Sequence, residues 1–172
     1  GDEVLIPSPY WVSYPEIAKY HHAIPIFLPT AQENNFKITP NQLRDALTPR
    51  TKLLILNSPS NPTGSLYSKE ELEALGEVLK GSNVWVISDE IYEKLTYSDG
   101  FVSLASLSQD LLERTITING LSKSTAMTGW RMGYLASKDK TLIKAINNLQ
   151  GNSTSNINSF TQMASITALS PA

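Results

Sequence analysis

Between Ile118 and Tyr134 the chain reads INGLSKSTAMTGWRMGY, and Lys123 within it has only small or apolar neighbours until Arg131. A lysine that serves solubility alone sits more usually on a polar helix face among other charges. Withdrawn from water among small residues, an ammonium is disfavoured relative to its free amine, and a free amine can condense with a carbonyl. Three other groups arrive in a comparable way. KLLILN leads into SPSNPTG, VWVIS into DEIY and TITIN into GLSK, so Asn61, then Asp89 with Tyr92, and then Lys123 each follow a β-rich run. Ligands of open α/β sheets collect where loops leave the carboxyl ends of the strands. These exits therefore bring an amide, a carboxylate, a phenol and an amine to one edge.

Each residue also has a structural role open to it. Asn61 lies in Asn-Pro-Thr-Gly, a good turn by its own chemistry. Asp89 can cap a turn through its side-chain oxygen, Tyr92 can belong to the core, and Lys123 can be a loop lysine with Arg131 a solvated partner of Glu90 or Asp139. Their convergence favours chemistry. A carboxylate opposite a pyridine nitrogen keeps that nitrogen protonated and makes the ring an electron sink. Phenol and amide donors bond the ring's phenolate oxygen, and the fork of an arginine grips a phosphate. Lys, Asp, Tyr, Asn and Arg together compose a pyridoxal phosphate site.

The elements that must position these groups are legible as well. Short β-rich runs, EVLIP, IPIFL, KLLILN, VWVIS, TITIN and MGYLA, alternate with amphipathic stretches, the pattern of an α/β fold with a mainly parallel sheet flanked by helices. Several runs are apolar throughout, as strands covered on both faces should be. Thr39 before Pro40 reads as an N-cap with proline at the first helical position. Ser68 and Glu71 have capping-box spacing, and Gly81 closes the helix they open. A further helix is expected from about Asp139 to Gln150, with the polar segment GNSTSNINS separating it from the last one.

Composition bounds the remaining possibilities. The chain has 172 residues, 14 basic and 16 acidic, a formal charge of -2 and no cysteine. That length supports one soluble unit with an ordinary core. The near-balanced charge offers no footprint for nucleic acid or an anionic membrane, and without cysteine there are no disulfides or thiolate metal ligands. His21 and His22 are adjacent and lack metal-ligand spacing, so they read as helix-end or surface residues and no metal is expected. No apolar run reaches transmembrane length and no signal-peptide pattern opens the chain, which points to a cytoplasmic protein. The sequence begins without Met and stops inside an apolar helical pattern, and both ends look cut.

NPTG, SDEIY and SKSTAMTGWRMGY, in this order and at these separations, closely resemble the class I/II aminotransferases, the fold type I pyridoxal phosphate enzymes. The appearance is closest to the prokaryotic aspartate aminotransferase branch. GDEVLIPSPYWVSYPEI is similar to the family's segment that delivers a ring-stacking aromatic, so the resemblance runs over essentially the whole chain. It implies that Lys123 forms the Schiff base with pyridoxal 5'-phosphate and shuttles a proton at the substrate α-carbon. It implies further that Asp89 pairs with the pyridine nitrogen, Tyr92 and Asn61 with the ring 3′-oxygen, and Arg131 with the phosphate, while Trp11 stacks on the ring. Some branches carry a phosphate-binding serine three residues before the lysine; that position is Gly120 here, and Ser122 takes the role instead. The resemblance places residues 1–172 in the central part of the large cofactor-binding domain, without the N-terminal segment and small domain of the family. The expected reaction is amino-group transfer between aspartate or a related amino acid and a 2-oxo acid, by an enzyme that is a homodimer in its full-length form, the fragment alone not being competent. A carbon-sulfur lyase of the same fold and a non-catalytic cofactor-binding fragment are the alternatives.

Overall fold

A computed structural model describes residues 1–97 and 100–170. Six strands, β1 (Glu3–Ser8), β2 (Ile24–Pro29), β3 (Thr51–Asn57), β4 (Trp85–Asp89), β5 (Thr115–Gly120) and β6 (Gly133–Ala136), form one sheet in the order β2-β1-β3-β4-β5-β6. The first five are parallel and β6 runs antiparallel to β5. All six coincide with the β-rich runs of the sequence to within a residue at either end. The chain steps outward from β1 to β2 and returns to β3 on the other side of β1, so its direction of winding reverses between β1 and β3. A crevice is expected at the carboxyl ends of those two strands.

Successive strand residues face opposite sides of a sheet, and the core divides accordingly. Leu5, Leu54, Leu56 and Val86 face α3 (Lys69–Leu79), which presents Leu72, Leu75 and Leu79 at helical spacing. Val4, Ile6 and Ile55 face α1 (Ser13–Tyr20), which contributes Tyr14 and Ala18. Full burial of each such leucine contributes about 1.5–3 kcal/mol. The two-sided cover expected for several of the strands holds for β1 and β3 but is not found at β2 or β6. Ile24 and Phe27 of β2 are more than a third exposed, and three of the four β6 residues are exposed, because both strands lie at the edges of the sheet.

Local chemistry sets the helix ends. Capping boxes open α2 (Pro40–Ala46), where Thr39 and Gln42 bond reciprocally, and α3, where Ser68 and Glu71 do so. Gly81 follows α3 with φ +75°, a backbone conformation that glycine adopts without strain. Ser108 caps α4 (Gln109–Arg114), and Asp139 caps α6 (Lys140–Ser153) by accepting from the amides of Thr141 and Leu142. The separator before the last helix, α7 (Ser159–Leu169), is shorter than the sequence suggests. Residues 151–153 continue α6, where the side chains of Asn152 and Ser153 donate back to the carbonyls of Asn148 and Leu149 one turn earlier. His21 ends α1 and both histidines are exposed, as expected.

Candidate active site

The carboxyl ends of β3, β4 and β5 do bring the expected residues to one edge. Asn57 at the end of β3 lies opposite Asp89 at the end of β4, and Asp89 lies opposite Ile118 of β5. Asn57 uses both ends of its amide. Its Nδ2 donates to the Asp89 carbonyl at 2.9 Å, and its Oδ1 accepts from the Asn61 amide at 2.7 Å. The Asn-Pro-Thr-Gly turn is thus tied to the strand that carries Asp89. Asn57 was hidden in the sequence as the last letter of an apolar run; its signal is a polar residue ending a buried strand.

Asp89 is half-buried and carries two side-chain bonds. Oδ1 accepts from the Ile91 amide at 3.2 Å, which is the turn-capping role open to it, and Oδ2 accepts from the Tyr14 hydroxyl at 2.6 Å. A carboxylate has about four lone-pair directions, so these two donors leave it able to accept another. Burial, and then the neighbouring Asp89 charge and hydrogen bond, raise the Tyr14 hydroxyl well above the ordinary phenol range, so it remains a proton donor. Sequence reasoning missed Tyr14. The available signal was its place one helical turn beyond Trp11, whose ring meets it edge-on at 5.4 Å between centroids. Trp11 itself is 43% exposed.

Two hollows open among the neighbours of this carboxylate, although Asp89 itself lines neither. One lies at the reversal between β1 and β3 and is lined by Pro7, Pro9, Tyr10, Tyr14, Asn57 and Asn61, among others. The second is a wider cleft lined by Asn61, Pro62, Tyr92, Leu95 and Tyr97, among others. Asn61 and Tyr92, assigned above to one oxygen, therefore share a cleft.

Beyond β5 the chain turns into the four-residue α5 (Leu121–Ser124). The Lys123 Nζ stands 6.0 Å from the centroid of the Tyr92 ring. Lys123 is exposed, however, so the desolvated setting expected from its small neighbours is not met. Small neighbours in sequence provide little cover when the residue stands on a short helix beyond the crest of the sheet. Ser122 and Arg131 are joined through Thr128: its Oγ1 donates to the Ser122 carbonyl, and its own carbonyl accepts from Arg131 Nη1, both at 2.8 Å. Arg131 takes a left-handed conformation, φ +57°, at the end of the turn Thr128–Trp130. Gly120 also has a structural reason. A Cβ there would lie 2.9 Å from the Met132 carbonyl oxygen and 3.1 Å from the Gly133 Cα, so no serine fits beside β6 without backbone movement. Among the described residues no group of His, Cys, Asp and Glu is arranged to hold a metal.

The winding reversal, the polar strand ends and the lysine beyond β5 define an α/β domain with a composite polar site at its carboxyl edge. The profile described as Aminotransferase class I and II matches residues 1–172, and the chain belongs to that family. It is 56% identical over 171 residues to an aspartate aminotransferase of Geobacillus stearothermophilus, covering 99% of this chain and 43% of that protein. It is 50% identical over 171 residues to an aspartate/prephenate aminotransferase of Nitrosomonas europaea, covering 98% of this chain and again 43% of the relative. The crystal structure of an aspartate aminotransferase from Rhizobium meliloti superimposes with a TM-score of 0.95 at 42% identity, over 100% of this chain and 43% of that one. The chain thus spans under half the length of these relatives. Among the described residues no helix is long and apolar enough to cross a membrane.

Proposed function

We propose that the chain is the central part of the large domain of a pyridoxal phosphate-dependent aminotransferase, which moves an amino group between aspartate or a related amino acid and a 2-oxo acid. The observation that carries this reading is the Asp89 carboxylate, held at a strand end by the Tyr14 hydroxyl, with Asn61 and Tyr92 on the adjoining cleft and Lys123 above Tyr92. The donor set suits the cofactor: a carboxylate with accepting capacity left, a phenol, an amide, an exposed guanidinium and an amine. When bound, pyridoxal phosphate supplies an electron sink conjugated to the substrate α-carbon and a carbonyl carbon that takes up the amino group.

The residues divide the remaining work. Asp89 holds the proton on the ring nitrogen, and Tyr14 orients Asp89. Tyr92 and Asn61 donate to the ring's 3′-oxygen, Trp11 covers the ring face, and Arg131 with Ser122 binds the phosphate. Lys123 would hold the carbonyl end of the cofactor, and its amine would move the proton at the substrate α-carbon. We also propose a homodimer. Phe160, Met163, Ile166 and Leu169, on α7, are all more than half exposed, an apolar run that a second subunit would cover.

Borohydride reduction of the complete cofactor-loaded enzyme, followed by peptide mapping, tests the reading: the label is expected on Lys123. A label on Lys138 or Lys144 would overturn it. Dependence of turnover on an added 2-oxo acid separates transfer from elimination.

A further inference from the structure

We infer that Glu90 is a positioning residue, a clasp that closes the base of the excursion between Glu90 and Leu104 and thereby sets Tyr92 against Lys123. The inference rests on the proposed role of Tyr92. Glu90 follows Asp89 directly, so the two side chains leave the strand end on opposite faces. Asp89 meets Tyr14 on one face. Glu90, 3% exposed, lies on the other, where Oε1 accepts from Ser88 Oγ at 2.8 Å, Ser103 Oγ at 3.0 Å and the Leu104 amide at 3.3 Å. Ser88 belongs to β4, whereas Ser103 and Leu104 are where the chain returns. One oxygen thus joins the departing and returning ends.

The clasp is built of neutral donors. The groups acting on the Glu90 carboxyl are two hydroxyls, one amide and the nearby Glu93 carboxylate, with no cation among them, and burial raises its proton affinity above the ordinary carboxylate range. A buried carboxyl without a cationic partner is costly, and bonds from fixed donors offset that cost. Between the two anchored ends the excursion carries functional surface. The Glu90 amide is fixed to the Ile118 carbonyl at 2.9 Å, the Glu93 amide bonds the Glu90 carbonyl at 2.9 Å, and the Leu95 amide bonds the Tyr92 carbonyl at 2.8 Å. Tyr92, Leu95, Thr96 and Tyr97 then line the cleft that Asn61 shares. Loosening the base displaces this wall and with it the Tyr92 ring beneath the Lys123 amine.

The test uses the complete enzyme with Glu90→Gln, Glu90→Leu and Ser103→Ala, each also combined with Tyr92→Phe. Amide hydrogen exchange at residues 91–97 and the dissociation constant of pyridoxal phosphate are measured, the second by titrating the apoenzyme. Glu90→Gln keeps a carbonyl acceptor and is expected to stay within about twofold of the parent in both. Ser103→Ala removes one hydroxyl donor and should speed exchange and weaken cofactor binding by about fivefold, and Glu90→Leu by about thirtyfold or more, with β1 to β3 unaffected. In the Tyr92→Phe background the loss of affinity should be much less than additive, since clasp and phenol act on one contact. Should Glu90→Leu not fold, Ser103→Ala carries the test. Unchanged exchange and affinity in the folded variants, or full additivity with Tyr92→Phe, would overturn the inference while leaving the proposed function standing, provided Tyr92→Phe itself weakens binding. If Tyr92→Phe alone changes nothing, the proposed role of Tyr92 falls and this inference with it.

Discussion

Replacing Tyr14 by Phe removes one oxygen and keeps the ring, so it isolates the donor that meets Asp89 at 2.6 Å. A hydrogen bond to a charged group contributes about 1.5–3 kcal/mol when nothing replaces it. Asp89 is half-buried, and water entering beside it recovers part of that loss. A net effect of about 1–2 kcal/mol is therefore expected, which corresponds to about five- to thirtyfold. It should fall on the rate of proton removal from the substrate α-carbon and on cofactor retention, because Asp89 acts on both through the ring nitrogen. Single-turnover absorbance of the cofactor-loaded enzyme and cofactor titration of the apoenzyme measure the two quantities. Tyr67→Phe is the control: its hydroxyl is also buried but accepts from the Ile38 amide at 2.8 Å, so its loss should lower stability without a comparable effect on chemistry. If Tyr14→Phe changes both rate and affinity by less than about twofold, Asp89 does not depend on Tyr14 and the proposed orienting role is refuted.

Asp89→Ala should weaken cofactor binding at least as much as Tyr14→Phe without abolishing it, and should slow α-proton abstraction by about a hundredfold or more, with Asp89→Glu much milder; near-normal turnover of the alanine variant would move the electron-sink role elsewhere. Gly120→Ser should cost about 1–3 kcal/mol through its clash with the Met132 carbonyl, read as a lowered thermal midpoint. Stability should also fall in strong base. Tyr14 and Tyr67 both hold their protons more tightly in the fold, mainly through burial. Their contribution is complete below the free phenol value of about 10 and is lost progressively above it, as the unfolded chain releases protons that the fold retains. Denaturant titrations across that range should show a shallower decline for Tyr14→Phe and for Tyr67→Phe; identical slopes would contradict the assignment.

What the sequence determined by itself was mostly local. Thr39, Ser68 and Asp139 open helices through side-chain bonds to amides two or three residues away, so their chemistry is readable from adjacent letters. Apolar strands with polar exits were equally readable, and with them the meeting of Asn61, Asp89, Tyr92 and Lys123 at one edge. The end of α6 was misplaced because Asn152 and Ser153, turn-forming by composition, satisfy themselves by bonding back within the helix. Only the tertiary structure decided what depends on distant parts of the chain. Tyr14 reaches Asp89 across 75 positions because α1 packs on the face of the sheet that β4 shares. The exclusion of a side chain at Gly120 depends on β6 running back against β5. Whether Lys123 is covered depends on what stands over the sheet's crest, and Glu90 differs in role from Asp89 beside it because one strand residue faces Tyr14 and the next faces Ser103. Hydrogen-bond partners at this range are set by how layers pack, and packing is a property of the whole sheet with its helices rather than of any window of sequence.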